Sequence, residues 1–327
     1  MKKHLWAICF SAALIAFSAY IAFDTFLIPR ALGSGTAMNT SMFSNSAAAN
    51  DTVSSAAQSS DSDETAHYGS SSATQQSESG EHSAVSASST DTSYQDENIS
   101  VTLTEYDENN TKIYVADVTL SSAEYLKTAF ANDTYGKNIT ETTSSMAQSN
   151  NAILAVNGDY YGVQESGYVI RNGVVYRDTA KGSDVLCIYA DGTMEVVSDS
   201  EYTADELVSK GVWQAFTFGP SLVENGTVTV GVNDEVGKAM ASNPRTAIGL
   251  IDTNHFVFVV SDGRTSESSG LSLYELAQFM QGLGVKTAYN LDGGGSSTMV
   301  FNGQVINNPT SGRSIKERGV SDIVYIG

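Results

Sequence analysis

The chain has 327 residues, 17 Lys and Arg against 37 Asp and Glu, and a formal net charge of −20. That excess of acid argues against nucleic acid as a partner, because binding a phosphate backbone needs clustered Lys and Arg. It also argues against broad electrostatic docking on anionic lipid, so an anionic substrate must be met by a local cluster of positive charge.

The first element is the run from Leu5 to Phe23, which is uncharged and mostly apolar. About 19 such residues cross roughly 30 Å of hydrocarbon as a helix. Lys2 and Lys3 precede it, which keeps the N-terminus cytoplasmic and everything after the helix outside. The competing reading is a cleaved signal peptide, whose apolar region is usually shorter, about 7–15 residues. No clear A-x-A site ends this run, so residues 1–32 are read as an uncleaved membrane anchor. The expected protein is single-pass, with its folded part extracytoplasmic in the cell envelope. Cys9 lies in the anchor and Cys187 in a strand-like run, so no disulfide, cysteine chemistry or Cys-based zinc site is expected.

Residues 33–97 are dominated by Ser, Ala, Thr, Asp, Glu and Gln, with no hydrophobic period. Such a segment cannot bury enough surface to offset its chain entropy, so it reads as a disordered stalk. As a flexible chain its span is on the order of 45 Å.

From Asn98 to Gly327 the composition changes. Apolar or alternating runs such as VTLTEY, KIYVADVTL, GYVIRNGVVYR and TAIGLIDTNHFVFVVSDG are separated by turn pairs including Asn172-Gly173, Asp191-Gly192 and Asn302-Gly303. Helical periodicity is expected over 121–131, 139–150, 203–211 and 271–284. In the last, Ser272 caps, Leu273, Leu276, Ala277 and Met280 share a face, and Gly282 and Gly284 stop the helix. This predicts a single α+β domain with a large mixed or antiparallel sheet and a few helices.

Four stretches carry more polar content than their positions require. AVNGDYYG (155–162) delivers Asn157, Asp159, Tyr160 and Tyr161 at a strand end. NPRTAIGL (243–250) starts a strand with Arg245 and Thr246, and VVSDGRTSESSG (259–270) places Asp262 and Arg264 past a strand end. The fourth, NLDGGGSST (290–298), sets Asp292 before Gly293, Gly294 and Gly295, then Ser296 and Ser297. Any one Asp-Gly pair is an ordinary turn. Three consecutive glycines differ, since each costs roughly 1 kcal/mol in backbone freedom relative to alanine and persists where the chain needs positive φ or approaches a ligand. Their amides, with the serine hydroxyls, are expected to form an anion cradle. Neither G-x-G-x-x-G nor a P-loop lysine is present.

Taken together and in this order, NGDYY, PRTAIG, SDGR, NLDGGGSSTM and the closing ERGVSDIVYIG resemble the phosphodiester glycosidase family, over roughly residues 100 to 327. Asp159 stands where glycine is common in that family. The resemblance implies hydrolysis of a sugar-1-phosphodiester, such as a GlcNAc-1-phosphodiester, between the anomeric carbon and the phosphate oxygen. It makes Asp262 and Asp292 the candidates to stabilise the oxocarbenium-like state or activate water, and Arg245 and Arg264 the groups that meet the phosphate charge. Asn157, Asp159, Tyr160, Thr246, Gly293, Gly294, Gly295, Ser296, Ser297 and Arg318 are the expected substrate contacts, with Glu317 a further candidate. No cofactor is expected. Asp159, Asp262 and Asp292 would suit Ca²⁺ or Mg²⁺ as oxygen ligands, but no spacing specific to such a site is visible.

The alternative is a non-catalytic module for binding or assembling wall polymers or exopolysaccharide, with Tyr160, Tyr161 and Tyr168 as exposed stacking platforms. A glycan or sugar phosphate is the expected partner on either reading, and the oligomeric state is left open.

Overall fold

A computed structural model of the chain describes residues 5–34, 37–43, 87–235 and 242–327. Three antiparallel sheets carry the domain. The largest has nine strands, running in space Thr227–Val228, Ser221–Glu224, Thr287–Asn290, Arg245–Asp252, His255–Ser261, Thr111–Leu120, Ile99–Glu108, Ser93–Gln95, Ser88–Ser89. A five-stranded sheet follows the order Val174–Arg177, Val169–Arg171, Val212–Phe216, Asp184–Tyr189, Met194–Ser198. Another orders Gln304–Val305, Met299–Phe301, Leu154–Asn157, Asp322–Ile326, Leu126–Phe130.

The two central strands of the large sheet show how alternation places the core. On Arg245–Asp252 and His255–Ser261, Ile248, Leu250, Phe256, Phe258 and Val260 point one way. There they meet Leu154, Val156, Leu186, Phe216 and Val324 from the two smaller sheets. Ala247, Val257 and Val259 point the other way, onto Leu273, Leu276, Ala277 and Met280 of the helix Leu273–Gly282. Each fully buried apolar side chain contributes about 1.5–3 kcal/mol relative to exposure, so both faces are strongly specified. Gly249 lies under that helix, where a Cβ would meet Met280 Cε at 2.7 Å. The helix starts with a capping box in which Ser272 and Glu275 satisfy each other's backbone N–H.

The sequence reading and the fold differ in three places. Residues 121–131 form one 3₁₀ turn, Ala123–Tyr125, and then a strand, Leu126–Phe130. Leu126, Thr128 and Phe130 are buried in alternation, a period of two, and the strand pairs with Asp322–Ile326. Val212–Phe216, buried on both faces and therefore without alternation, is an additional central strand. Finally, the sheet begins before Asn98: Ser88–Ser89 and Ser93–Gln95 pair onto Ile99–Glu108, and Tyr94 packs on the main core.

The N-terminal helix spans Leu5–Phe26. Its described side chains, Cys9–Asp24, include Phe10, Leu14, Ile15, Phe17, Ile21 and Phe23, all exposed. Among the described residues no helix is long and apolar enough to cross a membrane. After the helix the chain returns to the domain. Arg30–Ser34 pairs antiparallel with Thr134–Lys137, and Asn138 Nδ2 donates to the Ile28 carbonyl at 3.2 Å. Asn39 N–H donates to Asn172 O at 3.0 Å, and the Phe43 ring meets Trp213 edge-on at 5.0 Å. Part of the expected 33–97 stalk is thus built into the fold, because its few large side chains find partners. Residues 44–86, the greater part of that stalk, lie outside the described residues.

Candidate active site

The four polar stretches converge. Asn157, wholly buried at the end of Leu154–Asn157, is the knot. Its Nδ2 donates to Asp292 O at 2.6 Å, while its Oδ1 accepts from Thr246 Oγ1 at 2.8 Å and from Thr298 N–H at 3.3 Å. One amide therefore pins together NGDYY, PRTAIG and NLDGGGSST. With a fourth bond, from Nδ2 to Gly158 O at 3.2 Å, the buried Asn157 side chain is turned to its own chain, and both it and Thr246 lie beneath the cavity lining, not in it.

Above that floor lies a cavity of about 380 Å³, lined by Tyr160, Gln164, Phe218, Asn243, Arg245, Arg264, Asn290, Asp292, the glycines 293–295 and Arg318. This is within the size range of small-ligand sites, roughly 300–1,000 Å³. Among the described residues that line it, Asp292 is the single carboxylate. Ser296 Oγ donates to Asp292 Oδ2 at 2.5 Å, Gly293 N–H donates to Oδ1 at 2.9 Å, and Arg318 Nη2 lies 3.2 Å from Oδ2. Burial nevertheless holds the Asp292 carboxyl above the usual carboxylate range, with the negative Asp159 adding to it and Ser296, Arg318 and Gly293 opposing it.

Three guanidiniums line the same cavity. Arg245 donates Nε–H to Leu271 O at 2.9 Å and pairs through Nη2 with Glu235 at 2.9 Å; burial lowers its pKa against that pairing. Arg264 donates through Nε and Nη2 to Asn243 Oδ1 at 3.2 and 2.8 Å, and among the described residues no carboxylate pairs with it. Its backbone sits at φ 63°, a left-handed conformation that costs a non-glycine residue of order 1–3 kcal/mol and is often retained at functional sites. Arg318 is 43% exposed at the mouth. Its chain neighbour Glu317 faces away from the cavity lining and accepts from Ser144 N–H at 3.0 Å at the start of the helix Thr143–Ser149.

Several expected contacts have other partners. Asp262 is buried and outside the cavity lining: it accepts from Asn308 N–H at 2.8 Å, from Asn307 Nδ2 and Asn308 Nδ2, each at 3.2 Å, and from Tyr114 OH at 3.4 Å. Its geometry is that of a staple for the 307–308 loop, not of a group facing substrate. Asp159 faces inward, accepting from Tyr161 N–H at 3.0 Å and Thr217 N–H at 3.2 Å and pairing with Arg171. Ser297 is buried with its Oγ unpartnered, outside the lining. Two of the three amides expected in an anion cradle serve their own chain instead: Gly293 N–H donates to Asp292 and Gly294 N–H to Pro244 O at 2.8 Å. What the glycines supply is room: a Cβ on Gly293 would meet Pro244 O at 2.9 Å, and one on Gly294, at φ +62°, would meet Arg264 Nη2 at 2.7 Å. Of the three tyrosine platforms only Tyr160 is exposed, at 40%; Tyr161 and Tyr168 are in the core. Among the described residues no group of three or more His, Cys, Asp or Glu is arranged to hold a metal, and Asp159, Asp262 and Asp292 each face different partners.

Asn243, Asn290, Phe218 and Gln164 line the cavity without having been singled out from the sequence. Asn243 and Asn290 are the first residues of two of the quoted stretches and were legible there as polar residues. Gln164 follows AVNGDYYG by two residues without a signal of its own, and Phe218 is brought in by a loop distant in sequence.

A family model described as phosphodiester glycosidase matches residues 150–327. The SPbeta prophage-derived uncharacterized protein YomE of Bacillus subtilis (strain 168) is 33% identical over 200 residues, 59% of this chain and 30% of its own. Human N-acetylglucosamine-1-phosphodiester alpha-N-acetylglucosaminidase is 30% identical over 193 residues, 52% of this chain and 36% of its own. The chain thus spans about a third of the length of these curated relatives. Among solved structures, the zebrafish N-acetylglucosamine-1-phosphodiester alpha-N-acetylglucosaminidase catalytic domain, auto-inhibited by its pro-peptide, shares the fold with a TM-score of 0.55 at 20% identity, covering 70% of this chain and 82% of that one. With the matched segment taking in more than half of its residues, including Asn157, Arg245, Arg264, Asp292 and Arg318, this chain belongs to the phosphodiester glycosidase family.

Proposed function

We propose that the protein hydrolyses a sugar-1-phosphodiester, releasing the free sugar and a phosphate monoester. The observation that carries this is Asp292, a buried carboxylate of raised pKa at the floor of a cavity ringed by Arg245, Arg264 and Arg318. Charge accounting supports it. Arg245 is balanced by Glu235 and Arg318 by Asp292, which leaves Arg264 to meet the single charge of a diester. As the anomeric C–O bond breaks, its electrons go to the phosphate oxygen, and that growing charge faces Arg264 and Arg318. Asp292 takes a proton from the water attacking the anomeric carbon, and the proton then passes to the phosphate. A phosphate monoester has a second pKa near 6 and needs little acid to leave, so one carboxylate serves where other glycosidases use two. A base whose pKa is raised toward working pH is the better catalyst. Tyr160, exposed at the rim, is available to stack on the sugar face.

The test is incubation with an α-GlcNAc-1-phosphodiester, following free sugar and phosphate monoester, with Asp292→Asn alongside. Sugar release by the wild type and its loss in the variant support the reading. Binding without release by the wild type would instead make this a glycan-binding module.

The reading extends to location: the uncharged, mostly apolar run Leu5–Phe23 behind Lys2 and Lys3 supports a membrane anchor, with the domain acting on an envelope glycan or glycopolymer outside the cell. Residues 30–34, with Asn39 and Phe43, pack on the domain, so that arrangement would hold the site near the membrane instead of at the end of a long tether. Protease protection in sealed cells, with fractionation, tests it: a domain cleaved from outside and pelleting with membranes is expected, and a soluble, protected domain would refute it.

A further inference from the structure

Behind the cavity floor lies a charged group that the proposed reaction does not touch. Arg171, 1% exposed, sits between Asp159 and Asp322, which are 3% and 0% exposed. Its Nε donates to Asp322 Oδ2 at 2.8 Å and its Nη2 lies 3.1 Å from Asp159 Oδ2. The Phe216 ring covers the guanidinium, 4.1 Å from its centroid to Arg171 Cζ. Desolvating a guanidinium and two carboxylates costs several kcal/mol per ion, so such a group is poor evidence of stability alone.

What the three charges touch is more informative. Asp159 holds the N–H groups of Tyr161 and Thr217, the neighbours of cavity residues Tyr160 and Phe218. Asp322 closes over Gly158: its carbonyl accepts Gly158 N–H at 2.9 Å, and a Cβ on Gly158 would lie 2.3 Å from Asp322 Oδ1. Gly158 O in turn accepts the Asp292 N–H at 3.3 Å. A chain of contacts therefore runs from Arg171 through Asp322 and Gly158 to the backbone of the acid at the cavity floor.

We propose that Arg171, Asp159 and Asp322 are positioning residues that fix Asp292 and the Tyr160 and Phe218 rims relative to one another. Burial holds the Asp322 carboxyl above the usual range, against the opposing pull of Arg171. The proposal rests on the assignment of Asp292 to catalysis only for its kinetic readout.

Asp322→Asn is the informative variant. The oxygen that meets Arg171 is retained, and the new amide takes the place of Oδ1, which has no hydrogen-bond partner. Misplacement of a catalytic group by about 1 Å costs on the order of 10²-fold. The expected result is a kcat about 10–100-fold lower with KM within about twofold. The Asp292 amide should exchange hydrogen roughly tenfold faster, while Val257 and Val259, in the sheet interior, keep their wild-type rates. Arg171→Lys should act in the same direction. Wild-type kcat per folded molecule, or equal acceleration at Asp292, Val257 and Val259, overturns the proposal, since either would mean a purely structural group. If the wild type cleaves no phosphodiester, the proposed function falls, and the exchange comparison still decides this one.

Discussion

Replacing Gly294 by alanine separates the space that the glycine run provides from the flexibility it was expected to provide. The new Cβ would stand 2.7 Å from Arg264 Nη2 and 3.3 Å from Cζ. Ordinary contact begins near 3.5 Å, so the guanidinium must retreat by about 0.8 Å. It cannot do so freely, because Asn243 Oδ1 holds both Nε and Nη2 and the Arg264 backbone is already at φ 63°. Alanine at φ +62° adds about 1–2 kcal/mol of backbone strain. For a domain of this size that is a fall in Tm of roughly 2–8 °C. Displacing the cavity arginine that has no carboxylate partner among the described residues by nearly an ångström should lower kcat/KM by about 100-fold, or about 2.7 kcal/mol of transition-state stabilisation. Gly295→Ala is the control: its Cβ would find its nearest neighbours, on Arg318 and Ser311, at 3.5 Å, and it should stay within about twofold. Melting curves and phosphodiester turnover on the purified variants measure both quantities. Wild-type kcat/KM in Gly294→Ala, or an equal loss in Gly295→Ala, would refute the claim that the missing Cβ sets the place of Arg264.

Asp292→Asn should remove at least about 10³-fold of kcat while the fold survives, measured by turnover and circular dichroism. Because the folded-state pKa of Asp292 lies above its unfolded value near 3.8, the stability it contributes is present at low pH and is lost as pH rises through the folded value. Asp292→Asn should therefore flatten the decline in denaturant midpoint on going from acid to neutral pH. Arg264→Lys keeps the charge but loses the two-point contact with Asn243; a raised KM for the diester with little change in Tm is expected. Asp262→Ala, by contrast, strands Asn307 Nδ2 and the Asn308 N–H and should cost about 1–3 kcal/mol of stability in chemical denaturation. A catalytic loss at unchanged stability in that variant would restore Asp262 to the chemistry.

The strands and turns were legible because their signals are local. Asn172-Gly173 and Asn302-Gly303 both take positive φ at both positions, as a two-residue hairpin requires. Ser272 and Glu275 form the box their spacing promised, and the helix face predicted from Leu273, Leu276, Ala277 and Met280 is the buried one. The run 121–131 misled because its apolar residues fit a helical spacing as well as an alternating one, and only pairing with Asp322–Ile326 selects the strand. In the same way Val212–Phe216, buried on both faces, has no alternation to read.

For the site, residue type and order along the chain were enough to bring Arg245, Arg264, Asp292, the three glycines and Arg318 to one place, and they line one cavity. Which polar groups face that cavity was decided by the tertiary structure alone. Asp262 and Asp292 look alike in sequence, each a carboxylate before a glycine at a strand end. One turns onto Asn307 and Asn308, and the other lies open to the arginines. Asn157, Asp159 and Thr246 read as ligand contacts but bind their own chain, and Arg171 with Asp322 read as ordinary strand residues but form the buried support. The physical reason is that a strand end brings a polar side chain to the edge of the sheet without choosing its partner. That choice depends on which distant loop supplies a donor or acceptor there, and local sequence does not encode it.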